Sequence, residues 1–202
     1  MATSELFKRT RLEPISLRAI PAPPTGLRVV GALPPASGAA PGYQLPFTMQ
    51  RQAEDQWCWS AVTVSVSVFY LPSSSWTQCS LVCAELGNST CCTDGSIPAC
   101  NQPWTLDAAL LRTNNLLQWA AGTAPAATIQ TELGASRPIC CRIGWNGGGG
   151  HFVAISGYQN DGTDEEVTVE DPFFGQSQVN LATFTTAYQN DGVWTHTYYT
   201  KA

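Results

Sequence analysis

Between Ser60 and Tyr70 apolar and polar positions alternate: Val62, Val64, Val66 and Val68 are separated by Thr63, Ser65 and Ser67. Strict period-2 alternation in β-branched residues predicts a strand there. Further on, Leu106, Ala109, Leu110, Thr113 and Leu117 recur at helical spacing behind Thr105, a residue type suited to capping, which predicts a helix over 106–117. A second short helix, 129–135, is expected behind Thr128 and is stopped by Pro138. The runs 139–145, 151–158 and 166–170 read as strands, 181–188 as a short helix, and 193–200 as a closing strand. The pattern predicts an α+β domain, with helices first and a mostly antiparallel sheet after them.

The rest of the chain is punctuated rather than periodic. Residues 1–45 carry Pro14, Pro21, Pro23, Pro24, Pro34, Pro35 and Pro41 in an Ala- and Gly-rich context and read as an arm: a linker, a targeting segment or a pro-segment. The domain is then expected over 46–202. Residues 72–103 read as loop. The pentapeptide Tyr-Gln-Asn-Asp-Gly occurs at 158–162 and again at 188–192, and Asn-Asp-Gly is turn chemistry, so two turns are expected and no repeat architecture.

Composition narrows the function. Charged residues make up 12% of the 202 residues, about half the usual ~25%. Lys8 and Lys201 are the only lysines and the net charge is −5, which argues against a nucleic-acid partner. Residues 1–30 hold five basic and two acidic side chains, +3, which leaves −8 on the remainder: a basic arm before an acidic body. No apolar run approaches the ~18 residues of a membrane span, so no membrane partner is expected. The N-terminus also lacks the apolar core of a secretory signal. Eight cysteines nevertheless suggest an oxidising destination or a metal. Export by a non-standard route reconciles the two, with a cytoplasmic location as the alternative.

One stretch concentrates chemistry. Cys58 sits between Trp57 and Trp59, with Gln52 six residues upstream. A nucleophilic thiol requires surroundings that favour its thiolate, a base, and oxyanion donors. Only two histidines can serve as base. His151 opens an apolar strand after a run of four glycines, whereas His196 lies in a Thr-rich strand and reads as structural. Asp171 ends a strand twenty residues after His151, although an Asp-Pro pair also starts turns for local reasons. In chain order, Gln52, Cys58, His151 and Asp171 supply an oxyanion donor, a nucleophile, a base and a group to orient it. Gln50 and Gln56 are the neighbouring alternatives for the donor.

Gln-x5-Cys-Trp-x-Ala, followed by Gly-His-Phe-Val and then Glu-Asp-Pro, resembles the papain-like cysteine peptidases. Among them it is most similar to the bacterial effector branch of the avirulence-protease type. The likeness runs from Pro46 to Tyr199 and takes in Ala135-Ser136-Arg137-Pro138 and Trp194-Thr195-His196-Thr197. It implies a papain-like fold in which Cys58 begins a central helix packed on a sheet that carries His151 and Asp171, so it overrules the strand expected over 60–70. It further implies peptide-bond hydrolysis with Cys58 as nucleophile, His151 as base, Asp171 where papain itself has an asparagine, and Gln52 as oxyanion donor. The substrate is then a protein or peptide, the chain a monomer, and neither metal nor cofactor is required. The same chemistry also serves a transamidase or deamidase, and an inactive peptide-binding module is a further alternative. With Cys58 set apart, Cys79, Cys83, Cys91, Cys92, Cys100, Cys140 and Cys141 are expected to pair with one left over. Disulfides are favoured over zinc for the 79–100 group, because no histidine lies nearby.

Overall fold

The valine-rich stretch is a helix. In the computed structural model, which describes residues 42–202, α1 spans Cys58–Tyr70. Every residue from Cys58 to Ser67 is buried, so the alternation does not mark a wet and a dry face. The interleaved hydroxyls find partners within the core. Thr63 Oγ1 donates to the Trp59 carbonyl (2.8 Å) and Ser65 Oγ to that of Ala61 (2.7 Å), while Ser65 Oγ also accepts from the Gln50 amide (2.9 Å). Ser60 Oγ reaches the Gln78 carbonyl at 3.0 Å and Ser67 meets Ser74 at 2.8 Å. Each hydroxyl thereby avoids the roughly 1–3 kcal/mol that an unpaired buried one costs. Burial on all sides outweighs the valines' propensity deficit of a few tenths of a kcal/mol per residue.

On its helical side α1 touches α2 (Gln78–Leu86) and α3 (Leu106–Arg112), and it also packs on the sheet strand β4 (Gly150–Asn160). Among the described residues the sheet has seven strands, and every pairing is antiparallel. The order is β2 (Leu116–Ala121), β7 (Gly192–Thr200), β3 (Ile139–Trp145), β4, β5 (Glu165–Asp171) and β6 (Gly175–Asn180), with β1 (Tyr43–Gln44) lying beside the far end of β4. Two further helices, α4 (Ala126–Gly134) and α5 (Leu181–Ala187), complete an α+β fold. Trp59, Leu110, Ile129, Ile143, Phe152 and Phe184 are among its fully buried side chains.

Several local expectations are corrected. Residues 72–103 are not all loop: α2 begins with a reciprocal cap in which Thr77 Oγ1 accepts from the Ser80 amide and Ser80 Oγ from the Thr77 amide, and it ends at Gly87 with φ 66°. A Thr-x-x-Ser cap lacks the Glu or Gln of the usual capping box. The helix expected over 106–117 stops at Arg112; Asn114 turns the chain with φ 63°, and Leu116 and Leu117 belong to β2. Thr105 is its N-cap by position, without a capping hydrogen bond. The next helix starts at Ala126 behind Pro125, three residues before Ile129. Strand β6 was not expected from the sequence. Tyr43–Leu45 run along β4, with Tyr43 opposite Tyr158 and the Leu45 amide on the Ser156 carbonyl. The remainder of the arm, 1–41, lies outside the described residues.

The cysteines pair differently from the expectation of one left over. Cys79 is bonded to Cys92 and Cys91 to Cys100, which leaves Cys83, Cys140 and Cys141 free beside Cys58. Adjacent Cys91 and Cys92 therefore point in opposite directions and tie 88–101 both to itself and to α2. With four of the five thiols of this region in disulfides, the zinc alternative has no ligand set. Cys140 and Cys141 occupy successive positions of the buried strand β3, and burial pushes both thiols upward in pKa.

Candidate active site

The thiol of Cys58 stands at the first position of α1, where the unpaired amides of a helix start favour negative charge. No side chain caps this end. The turn is held from outside: the Trp57 amide bonds the Glu54 carbonyl (3.1 Å), and the Gln56 amide bonds Asn101 Oδ1 (2.9 Å). The two indoles that flank the thiol donate to the end of the disulfide-bound segment and just beyond it, Trp57 Nε1 to the Cys100 carbonyl (2.9 Å) and Trp59 Nε1 to that of Gln102 (3.1 Å). Gly95 lies flat against Trp57; a Cβ there would be 2.7 Å from Cη2 and 2.9 Å from Cζ2 of the indole.

His151 enters at the start of β4 and Asp171 ends β5, and the two strands are neighbours. Nε2 of His151 is 2.9 Å from Oδ1 of Asp171, and neither side chain reaches solvent. Trp145 stacks on the imidazole (centroids 6.2 Å apart, 22° between planes) and Phe174 presents its edge to it (6.5 Å, 81°). Oδ1 of Asp171 also accepts from the Phe173 and Phe174 amides, so one oxygen both closes the turn after β5 and binds the imidazole. Burial by itself lowers the pKa of His151. The charge and hydrogen bond of Asp171 outweigh it, Cys58 adds to them, and the imidazole is pushed up to about 10. For Asp171 burial acts upward, and His151 with the two amides overcomes it, so its carboxyl is held below the usual range. Among the described residues the buried Nδ1 of His151 makes no hydrogen bond of full geometry, and the thiol that acts on the ring electrostatically is Cys58. The structure thus brings Cys58, His151 and Asp171 together from three separate elements.

Gln52 is 8% exposed, and its backbone amide bonds the Pro172 carbonyl (2.9 Å), which ties the approach to α1 to the turn after Asp171. Its side-chain Nε2 donates to the carbonyls of Glu54 and Asp55, both at 3.0 Å. Both amide hydrogens are thus engaged in the turn ahead of Cys58, and Oε1 is buried without a partner among the described residues. His196 stands apart, with Nδ1 3.0 Å from Thr195 Oγ1 and its ring beside Trp119.

Sequence reasoning passed over Tyr188, whose hydroxyl donates to Oδ2 of Asp171 at 2.9 Å, and Trp145 and Gly95, which buttress the imidazole and the turn before the thiol. Each acts through space rather than through a motif. The one available signal was that a tyrosine opened both copies of the repeated turn pentapeptide.

The sequence model of one family, described as papain-like cysteine protease AvrRpt2, matches residues 40–189, well over half of the chain. A comparison with curated proteins found no match.

Proposed function

We propose that this chain, which belongs to the papain-like cysteine protease AvrRpt2 family and is a hydrolase, cleaves peptide bonds with Cys58 as nucleophile, His151 as acid and base, and Asp171 as the group that orients the imidazole. The observation that carries this reading is the sealed pair of His151 Nε2 and Asp171 Oδ1, which leaves Nδ1 as the ring nitrogen available to Cys58. With Nε2–H donated to Asp171, proton exchange with thiol, leaving group and water falls to Nδ1.

In the first half-reaction the Cys58 sulfur, having passed its proton to Nδ1, bonds to the substrate carbonyl carbon. The resulting oxyanion is received by the Cys58 backbone N–H and by Gln52. Nδ1–H protonates the leaving amine as the C–N bond breaks, and a thioester remains. In the second, water gives a proton to Nδ1 and attacks the thioester, the carboxylic acid leaves, and the proton returns to sulfur. For Gln52 to donate, one of its two bonds to Glu54 and Asp55 must be exchanged for the oxyanion. A cleft of about 450 Å³, lined in part by Phe47, Met49, Arg51, Asp171 and Phe173, opens on the Asp171 side of the site, and neither Cys58 nor His151 lines it. The two disulfides favour an oxidising destination, and with the basic arm they support an exported effector. Among the described residues no helix is long and apolar enough to cross a membrane.

A peptide-library cleavage assay tests the reading. Wild type is expected to cut, Cys58→Ala to leave every peptide intact, and iodoacetamide to label Cys58 before Cys83. Equal cleavage by Cys58→Ala would overturn it, as would products that gain an amine or a single mass unit without chain scission.

A further inference from the structure

Asp171 is gripped on both oxygens. Oδ1 accepts from His151 and two backbone amides, and Oδ2 accepts from the Tyr188 hydroxyl. Tyr188 is 1% exposed, caps the C-terminus of α5, and opens a turn in which it exchanges backbone hydrogen bonds of 2.8 and 2.7 Å with Gly192. At the other end of that turn, Gly192 lies against Ile143 and Trp145; a Cβ there would strike Ile143 and approach Cζ3 of Trp145 to 2.7 Å. Trp145 is the ring that stacks on His151. One five-residue turn therefore reaches the carboxylate through Tyr188 and, through Gly192, the indole that lies on the imidazole. The same pentapeptide at 158–162 also opens with a tyrosine that donates to a carboxylate, Tyr158 to Glu165 at 2.6 Å, but toward the end of β4 opposite His151.

We propose that Tyr188 is a positioning residue for the His151–Asp171 pair: by holding Oδ2 it fixes the carboxylate plane, so that Nε2 of His151 keeps one orientation and Nδ1 stays turned to Cys58. This rests on the reading of Cys58 as nucleophile and His151 as base. A carboxylate with donors on both oxygens cannot rotate about Cβ–Cγ without breaking them, and an imidazole tied to it cannot flip. The phenol also takes up part of the carboxylate's charge, so Asp171 stabilises the imidazolium without binding its proton too tightly. Burial, reinforced by the Asp171 charge, holds the Tyr188 hydroxyl far above its ordinary pKa, so it remains a donor through the neutral range. The other groups that face this cluster are Cys58 from α1, Cys141 from β3, which acts on Tyr188, and Arg51 across the cleft that Asp171 lines. The carboxylate of Glu170 is engaged by Ser156 and Gln176 instead.

Tyr188→Phe keeps the ring and its contact with Phe184 and removes the hydroxyl, which donates to Asp171 and also meets the Gln189 side chain. The expected result is a kcat lower by about three- to tenfold at unchanged KM, the range that loss of one supporting hydrogen bond of ordinary net strength gives. Asp171, with one donor fewer, holds the imidazolium proton harder, so the basic limb of the kcat/KM profile moves up by about half a pH unit. The low-field proton resonance of His151 Nε2–H is expected to broaden. Site-specific 3-fluorotyrosine at 188, a stronger donor of nearly the same size, is expected to move the limb the opposite way. If Tyr188 merely fills space, Tyr188→Phe leaves kcat and both limbs as in wild type, and if its hydroxyl serves stability alone the thermal midpoint falls while kcat scales equally at every pH; limbs unmoved in both variants overturn the proposal. Iodoacetamide separates this failure from that of its premise: if wild-type Cys58 reacts no faster than Cys83, the active-site reading itself fails.

Discussion

The indole nitrogen of Trp57 donates to the carbonyl oxygen of Cys100 at 2.9 Å, so the residue immediately before Cys58 hangs from a disulfide-bonded cysteine. A crosslink nine residues apart, closing a short loop, stabilises by about 2–3 kcal/mol on the chain-entropy estimate. Here it also fixes the acceptor for the residue that precedes Cys58. Cys91→Ala with Cys100→Ala is expected to lower the unfolding free energy in urea by that amount. It is also expected to slow cleavage under conditions in which the variant is still fully folded. Cys83→Ala, which removes a free thiol from a half-buried site, is the control and is expected to change both by little.

Gly95 offers a sharper probe of the same contact. Its φ does not lie in the left-handed region, so alanine meets no backbone objection, and the whole effect comes from the Cβ that would stand 2.7 Å from Trp57. The indole must tilt, and its bond to Cys100 must lengthen or break. Gly95→Ala is expected to cost about 1–3 kcal/mol, as overpacking does, and to lower kcat more than it raises KM, since Trp57 adjoins the thiol. Urea denaturation and steady-state kinetics measure the two parts separately.

The buried ion pair predicts a pH dependence of stability. His151 has a folded pKa raised to about 10. Its contribution is therefore fully present below the unfolded value of ~6.5 and is lost as pH rises toward the folded one. Asp171 is lowered, so its contribution is present above the unfolded value and is lost as pH falls through the folded one. Unfolding free energy is thus expected to decline from pH 6.5 to 8.5, below the range where buried Cys140 and Cys141 add the same trend. His151→Gln is expected to flatten that slope. An equal slope in wild type and variant would show that the decline arises elsewhere.

Much of the candidate site was legible because its members carry motif signals: a cysteine between tryptophans, a histidine after glycines, an aspartate before proline. What those signals could not convey was the support. Tyr188, Trp145, Gly95 and the Cys91–Cys100 crosslink come from distant segments, and each acts by touching a neighbour rather than by residue type. Local pattern failed where burial was uniform. In α1 the valine alternation has no solvent face to report, and only the likeness to a known family pointed to a helix. It failed again at Asn114, where a single left-handed residue follows α3 and puts Leu117, a leucine of helical spacing, into a strand.

Gln52 distinguishes a residue that supports the turn from one that also serves the reaction. Both of its amide hydrogens are donated to carbonyls of the turn before Cys58. Gln52→Ala is expected to lose about 1–2 kcal/mol of stability from those bonds. If one of them is exchanged for the oxyanion during the reaction, kcat also falls by about 10²–10³, as it does when an oxyanion donor is removed elsewhere, with KM little changed. A residue that only braces the turn predicts the same stability loss with kcat reduced less than tenfold. Gln52→Glu sharpens the comparison, because it sets a carboxylate against the same two carbonyl oxygens and converts both attractions to repulsions. At pH 7 it is expected to be less stable than Gln52→Ala. The repulsion raises the pKa of the introduced carboxyl in the folded state, so protonation relieves it as pH falls, and the gap between the two variants is expected to narrow toward pH 5. Urea midpoints of both variants at pH 5 and pH 7 measure that gap, and a gap independent of pH would show that the side chain at 52 has swung away from Glu54 and Asp55.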